Sequence, residues 1–322
     1  MAGLAVSLST FSRPSWTEFT RLAREAEDAG FSAVLVPEAN NDVMLCCHAV
    51  VRATSRVTVG SRIANVYLRA PLVCAAGAAM LQEESDGRFL LGLGAGHRTM
   101  LGAMGIAVDN ARQHLRGYAS TVRRLLETGE FAGLPYRMRT PPKPVPIYIA
   151  ALSKETARLA GEIAGGLMLY MCTPARMRAL ADAAREAAVS AGRDPARVTV
   201  TMGLPLFLDE QIERAYEVAR QALYFSASLP FYTRSLARDG FAAEASAFAQ
   251  ATSQGDRAAA EAALTPRLLD AVALIGPANR CAKRIAEYRR FGAELPVLVP
   301  HAVRGDYAHS FRQALKAFAG LC

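Results

Sequence analysis

The sequence predicts an α/β fold, a closed (β/α)8 barrel of the TIM type, on three observations. Short apolar runs alternate with helical stretches along most of the chain, as in folds where each strand is followed by a helix. Several runs, Phe89 to Leu93 among them, are apolar without alternation, which suits parallel strands buried on both faces. No two runs adjoin across a hairpin turn. With 322 residues, 52% of them hydrophobic, the chain can build one large core, and barrels of this kind reach that length as single domains. Residues 1–322 are therefore read as one barrel domain.

The elements follow in order. Leu4–Leu8 is a first strand, and Ser15-Trp16-Thr17-Glu18 is a capping box that starts a helix running to Ala29, where Gly30 ends it. Ala33–Val36 is the second strand, with a helix over Val43–Thr54, and Val57–Ile63 is the third, with an alanine-rich helix over Leu72–Glu84. Phe89–Gly94 is the fourth and precedes a long helix over Asn110–Thr128. Val145–Ala151 with Lys154–Ala164 makes the fifth unit, and Leu167–Met171 with Thr173–Ala191 the sixth. Val198–Leu208 is the seventh strand and Leu295–Pro300 the eighth. Residues 209–273 break this spacing: "AEASAFAQATSQGDRAAAEAAL" is small, polar and helical, with no strand run. It reads as a helical insertion between strands seven and eight, lying over the barrel mouth or against a partner subunit.

Composition excludes several classes. The longest apolar stretch, Ala70–Leu81, is shorter than the roughly 18 residues a membrane span requires. No basic segment precedes an apolar run at the N-terminus, so a cytoplasmic location is expected. Lys and Arg outnumber Asp and Glu by 37 to 29, but acids are interspersed among them in stretches such as "RMRALADAAREA", which makes solvated faces and not a nucleic-acid patch. A basic surface does steer anionic cofactors or substrates. The six cysteines show no C-x-x-C pair and the five histidines no metal spacing, so no metal is expected.

The densest functional signal is "SDGRFLLGLGAGH", Ser85–His97. Gly92, Gly94 and Gly96 remove side chains where the fourth strand ends, and in α/β folds ligands bind at the carboxyl ends of strands. A dinucleotide fingerprint is excluded, because the position of the third glycine is His97 and no acidic residue follows at the required distance.

Six segments in order, "GSRIANVYLRAP", "QEESDGRFLLGLGAGH", "LGAMGI", "VRRLLETGE", "VPIYIAALSKETARLAGEIAGGLML" and "LIGPANRCAKRIAEYRRFGAELPVLVP", resemble the bacterial luciferase-like superfamily. The layout is most similar to its methylenetetrahydromethanopterin reductase branch. The resemblance implies an oxidoreductase that passes a hydride between the deazaflavin coenzyme F-420, or a flavin such as FMN, and a small organic substrate. It also implies a homodimer. An FMN-dependent monooxygenase with a partner reductase, or a flavin-binding protein without turnover, are the alternatives within the same resemblance.

The resemblance places site residues as follows. A non-prolyl cis peptide supporting the ring falls at Arg62–Ile63, with Asn65 just beyond, whose amide both donates and accepts. Gly94 and Gly96 line the ring, and the "AALSKET" turn, with Ala151, Leu152, Ser153 and Thr156, holds a phosphate at a helix start. Ser153 reads equally as a helix cap, and Thr173 reads more readily as a cap than as a ligand. His97 stands where F-420-dependent dehydrogenases of the family carry a carboxylate, and Glu38 near the place of their strand-two histidine. The pair is expected to manage protons around the ring. Ser7 occupies the position of the reductase branch's strand-one glutamate and offers a hydroxyl in place of a carboxylate. Of the other histidines, His301 is the one placed to see the mouth, directly after the eighth strand.

Overall fold

The computed structural model describes every residue except positions 1, 2, 39, 132, 134 and 136. Its strands are β1 (Ala5–Ser7), β2 (Ala33–Val36), β3 (Thr58–Ser61), β4 (Ala64–Asn65), β5 (Phe89–Gly94), β6 (Ile147–Ala150), β7 (Gly166–Tyr170), β8 (Thr199–Leu208), β9 (Leu274–Gly276) and β10 (Leu295–Pro300). All named pairings are parallel, in the order β10-β1-β2-β3-β5-β6-β7-β8, and β8 pairs back onto β10. Eight strands thus close a barrel, as the sequence predicts.

Two short strands fall outside that reading. β4 continues the wall beyond β3 by pairing with the end of β5, and β9 pairs with the last residues of β8. Both are too short for a periodic signal and exist because a neighbouring strand already offers its edge.

The helices are α1 (Trp16–Asp28), α2 (Val43–Ala53), α3 (Pro71–Glu84), α4 (Arg98–Ala103), α5 (Ala111–Thr128), α6 (Lys154–Ile163), α7 (Pro174–Ser190), α8 (Ile212–Ser228), α9 (Pro230–Leu236), α10 (Ala242–Ser253), α11 (Arg257–Ala263), α12 (Pro266–Val272), α13 (Ala278–Arg290) and α14 (Tyr307–Phe318). Their starts follow local chemistry. Ser15 Oγ accepts the Glu18 N–H at 3.2 Å to open α1, and Gly30, at φ +88°, lets the chain leave it. No helix among the described residues is long and apolar enough to cross a membrane.

Strand alternation decides which side chains see the barrel axis. Ala5, Ala33, Leu35, Leu295 and Val297 pack together inside, and Leu90, Tyr148 and Met168 form a second interior group. Their neighbours Val6, Val34, Leu91 and Leu298 point out beneath the helices, where the main core lies. Each such buried side chain contributes about 1.5–3 kcal/mol. A buried carboxylate anchors the lower rim: Glu27 accepts the N–H groups of Ser55, Arg56 and Val57 at 3.0, 2.6 and 2.9 Å.

Helices α8–α12 lie between β8 and β9 and gather around a separate apolar cluster that includes Phe207, Leu223, Tyr232 and Phe248. This segment therefore carries an apolar core of its own, joined to the barrel through Phe207 of β8.

Candidate active site

The carboxyl ends of the strands form a mouth walled on one side by glycine. A Cβ at Gly92 would lie 2.5 Å from Met168 Sδ, and one at Gly94 would lie 2.8 Å from the Ile63 side chain and 3.2 Å from Ala150. Both contacts are too close for any larger residue, so the wall stays flat. Gly96 has φ +64°, and a Cβ there would meet Asn65 Nδ2 at 2.2 Å. The Arg62–Ile63 peptide is cis, at the position the resemblance implies.

Several polar groups at this end have no protein partner among the described residues, Ser7 Oγ, His301 Nε2 and the Arg62 guanidinium among them. Ser7, at the end of β1, is 1% exposed and its Oγ makes no hydrogen bond, although its carbonyl accepts from the Tyr307 hydroxyl at 3.2 Å. His301 Nε2 is buried and unpartnered, while its ring stacks on Phe207 at 4.6 Å. Burial pulls the imidazole down to about 4, so it is neutral at pH 7.

The third group is the Arg62 guanidinium, 4.9 Å from the centre of the Tyr170 ring. Burial lowers its pKa, and Tyr170 and Tyr232 act against that. A cation–π contact is worth about 0.5–2 kcal/mol, whereas desolvating an ion costs several kcal/mol. The contact with Tyr170 therefore does not offset the cost of placing Arg62 here.

His97 precedes α4 as its N-cap residue but makes no side-chain cap bond. Its ring instead lies 6.4 Å from Phe225 and 6.5 Å from Tyr232, and burial lowers its pKa. Tyr232 in turn meets Tyr170 edge-on at 6.1 Å. His97, Tyr232, Tyr170 and Arg62 thus form a continuous wall from rim to floor, with Tyr232 supplied by α9. Sequence reasoning placed the insertion over the mouth or against a partner subunit, and it did not find Tyr170 or Tyr232. The one available signal was that "GLMLY" ends on a tyrosine at a strand's carboxyl end.

Glu38, near the end of β2, is engaged by protein partners. Its carboxylate receives both terminal nitrogens of Arg69, one at 3.0 Å, and the Asn65 N–H at 2.6 Å. The Glu38 side chain is 2% exposed and that of Arg69 9%. A carboxylate held this way is committed to its partners, and it fixes the loop carrying Asn65 to the end of β2. Asn65 Oδ1 is also engaged, accepting the Tyr67 N–H at 3.0 Å. That leaves Nδ2, against Gly96, as the free donor. A groove of about 820 Å³ opens beside this loop, between residues 66–71 and α5, and Arg69 and Tyr67 line it.

At the expected phosphate turn both hydroxyls cap helices. Ser153 Oγ accepts the Thr156 N–H at 3.2 Å and lies 3.3 Å from Thr156 Oγ1, and Thr173 Oγ1 accepts the Arg176 N–H at 3.1 Å. The Ala151 N–H is spent on the Met168 carbonyl at 3.1 Å, and the Leu152 carbonyl accepts from Arg176 at 3.2 Å. Thr173 also donates to Asp239, at 3.4 Å, from the turn between α9 and α10. Burial raises the Asp239 carboxyl, and Arg176 and Thr173 oppose the rise. No sequence signal marked Asp239 or Arg176, which meet only because the insertion folds back over α7.

No group of three or more metal-ligating side chains occurs among the described residues.

The family model for luciferase-like monooxygenases matches residues 3–295. A 5,10-methylenetetrahydromethanopterin reductase of Methanolobus tindarius is 28% identical over 285 residues, 84% of this chain and 86% of that protein. Among solved structures, the coenzyme F-420-dependent tetrahydromethanopterin reductase from Methanopyrus kandleri superposes with a TM-score of 0.82. It shares 22% identity, and the match covers 99% of this chain and 98% of that one. The oxygenating constituent of 3,6-diketocamphane monooxygenase from Pseudomonas putida, in complex with FMN, gives a TM-score of 0.72 at 18% identity, covering 100% and 98% of the two chains.

Proposed function

The chain belongs to the luciferase-like monooxygenase family, and from that premise we propose that it transfers a hydride between coenzyme F-420 and a small organic substrate. The observation that carries this reading is the glycine-walled mouth holding three polar groups without protein partners, Ser7 Oγ, the Arg62 guanidinium and His301 Nε2. Buried polar groups are normally hydrogen-bonded, so the buried Ser7 Oγ and His301 Nε2, together with the half-buried Arg62 fork, fit a flat ligand with carbonyl and N–H edges. Solved structures named as F-420-dependent enzymes support the deazaflavin.

When bound, the ring supplies the hydride chemistry. This chain's own part is orientation and proton handling. Arg62, Ile63, Gly94, Gly96 and Asn65 shape the ring's bed. The start of α6 at Leu152 and Ser153, with Thr156 and with Thr173 and Arg176 nearby, holds the anionic side chain of the cofactor. His97, neutral near pH 7 because burial lowers its pKa, accepts or returns a proton at the rim. Glu38 acts as a positioning residue through Arg69 and Asn65. Ser7 brings no carboxylate, which separates the substrate proposed here from a methylene-pterin.

Fluorescence titration of the purified chain with F-420 and with FMN tests the reading. Binding of F-420 with oxygen-insensitive hydride transfer supports it, and no affinity for either ring refutes it. The FMN-dependent monooxygenase is the second reading, favoured by the likeness to the FMN-bound structure, and oxygen uptake coupled to substrate oxidation would select it. Large apolar side chains exposed on α2 and α3, Leu45, Val73 and Met80, support pairing of two copies, which sedimentation equilibrium measures directly.

A further inference from the structure

Arg62 lies across the barrel. Its backbone follows β3, and a Cβ at Gly203 on β8 would sit 1.8 Å from its Nη2. In the closed order β3 and β8 stand four strands apart in either direction, so the side chain spans the full diameter. Beneath it lie apolar layers, Leu35, Leu295 and Val297 in one and Leu90, Tyr148 and Met168 in the other. The guanidinium is thus the charged floor of the mouth.

Arginines that serve structure in this chain are partnered. Arg69 pairs with Glu38, Arg88 donates to the Thr54 and Val57 carbonyls, and Arg289 donates to the Gly3 and Leu321 carbonyls. The Arg62 guanidinium has the Tyr170 ring and no hydrogen bond or ion pair to a described residue. Its planar fork matches two coplanar acceptor atoms that share a negative charge.

We propose that Arg62 holds a planar oxyanion at the floor of the barrel mouth, supplied either by the deprotonated edge of the reduced ring or by a substrate carboxylate. The proposal rests on reading the mouth as the ring site. A fixed cation beside the ring favours its anionic reduced form, and so raises the potential of the bound cofactor. Gly203 serves the same end by leaving room for the guanidinium.

The test uses the wild-type chain, Arg62→Met and Arg62→Lys, each checked for folding by circular dichroism. Two quantities are measured: the midpoint potential of the bound ring and the affinity of the unloaded chain for benzoate. If the anion is the ring, Arg62→Met shifts the oxidised-to-reduced ratio at least tenfold toward oxidised, about 30 mV for a two-electron couple, and Arg62→Lys lies nearer wild type. The wild-type potential then falls with pH at a slope of one proton per two electrons, a readout that needs no variant. If the anion is a carboxylate, the potential is unchanged and benzoate binding weakens at least tenfold in Arg62→Met. A two-proton slope in the wild type together with no benzoate binding overturns the proposal, as does a folded Arg62→Met equal to wild type in both quantities. Failure of the wild type to bind any ring refutes the ring reading separately, and the benzoate measurement still decides the fate of the oxyanion.

Discussion

Replacing Glu38 by glutamine separates two roles for the same carboxylate. The side chain is 2% exposed and receives Arg69, itself 9% exposed, together with the Asn65 N–H at 2.6 Å. Removing the charge leaves a largely buried guanidinium uncompensated, which costs about 3–5 kcal/mol. Unfolding entropy of about 2.1 cal/mol/K per residue over 322 residues is about 0.7 kcal/mol/K. Glu38→Gln should therefore lower the thermal midpoint by about 4–7 °C. The double variant Glu38→Leu, Arg69→Met should recover most of that loss, because both charges leave together. Thermal unfolding followed by circular dichroism, run beside a pH–rate profile, reads both effects. A positioning role predicts lower stability and a rate loss that is uniform across pH. A general acid or base predicts a loss of about 10²–10⁴ in rate at intact stability. A Glu38→Gln protein that melts within a degree of wild type while turnover collapses would refute the structural argument.

Two further outcomes concern pH. His301 is held down to about 4 by burial, so between the unfolded value of about 6.5 and pH 4 the unfolded chain takes up a proton that the folded one refuses. Stability is unaffected above pH 6.5 and falls by about 1.4 kcal/mol per pH unit below it. His301→Phe should remove that slope from urea midpoints measured between pH 7 and pH 5, and an unchanged slope would assign it to other groups. For Glu27, burial pushes the carboxyl up, and the N–H donors of Val57, Arg56 and Ser55 outweigh burial and hold it below its ordinary value. Its contribution is present above pH 4.5 and lost as pH falls through the lowered folded value. Glu27→Gln should cost about 2–4 kcal/mol at pH 7 by urea denaturation, and a loss under 1 kcal/mol would show that the three donors find water instead.

The strands at Ala33–Val36, Phe89–Gly94 and Leu295–Pro300 were legible to the residue, because each is an uninterrupted apolar run with a turn or cap at its ends. The caps at Ser15, Ser153 and Thr173 were legible for the same reason, since a hydroxyl three residues before an N–H is a local relation. The site was legible only in part. The cis Arg62–Ile63 bond stands where the resemblance implied it. The partner of Glu38 was not legible, since Arg69 reaches it only once the loop after β4 is carried to the end of β2.

By itself, then, the sequence determined where the eight barrel strands and the helices between most of them fall, and that one end of the fourth strand is bare. Those properties depend on neighbours within a few residues, where periodicity and capping act. Only the tertiary structure decided that Glu38 is neutralised, that α9 brings Tyr232 to face His97, and that Arg62 crosses to Gly203. Each of these joins residues far apart in the chain, and such contacts are set by barrel closure and by the fold of the insertion, which no local pattern encodes.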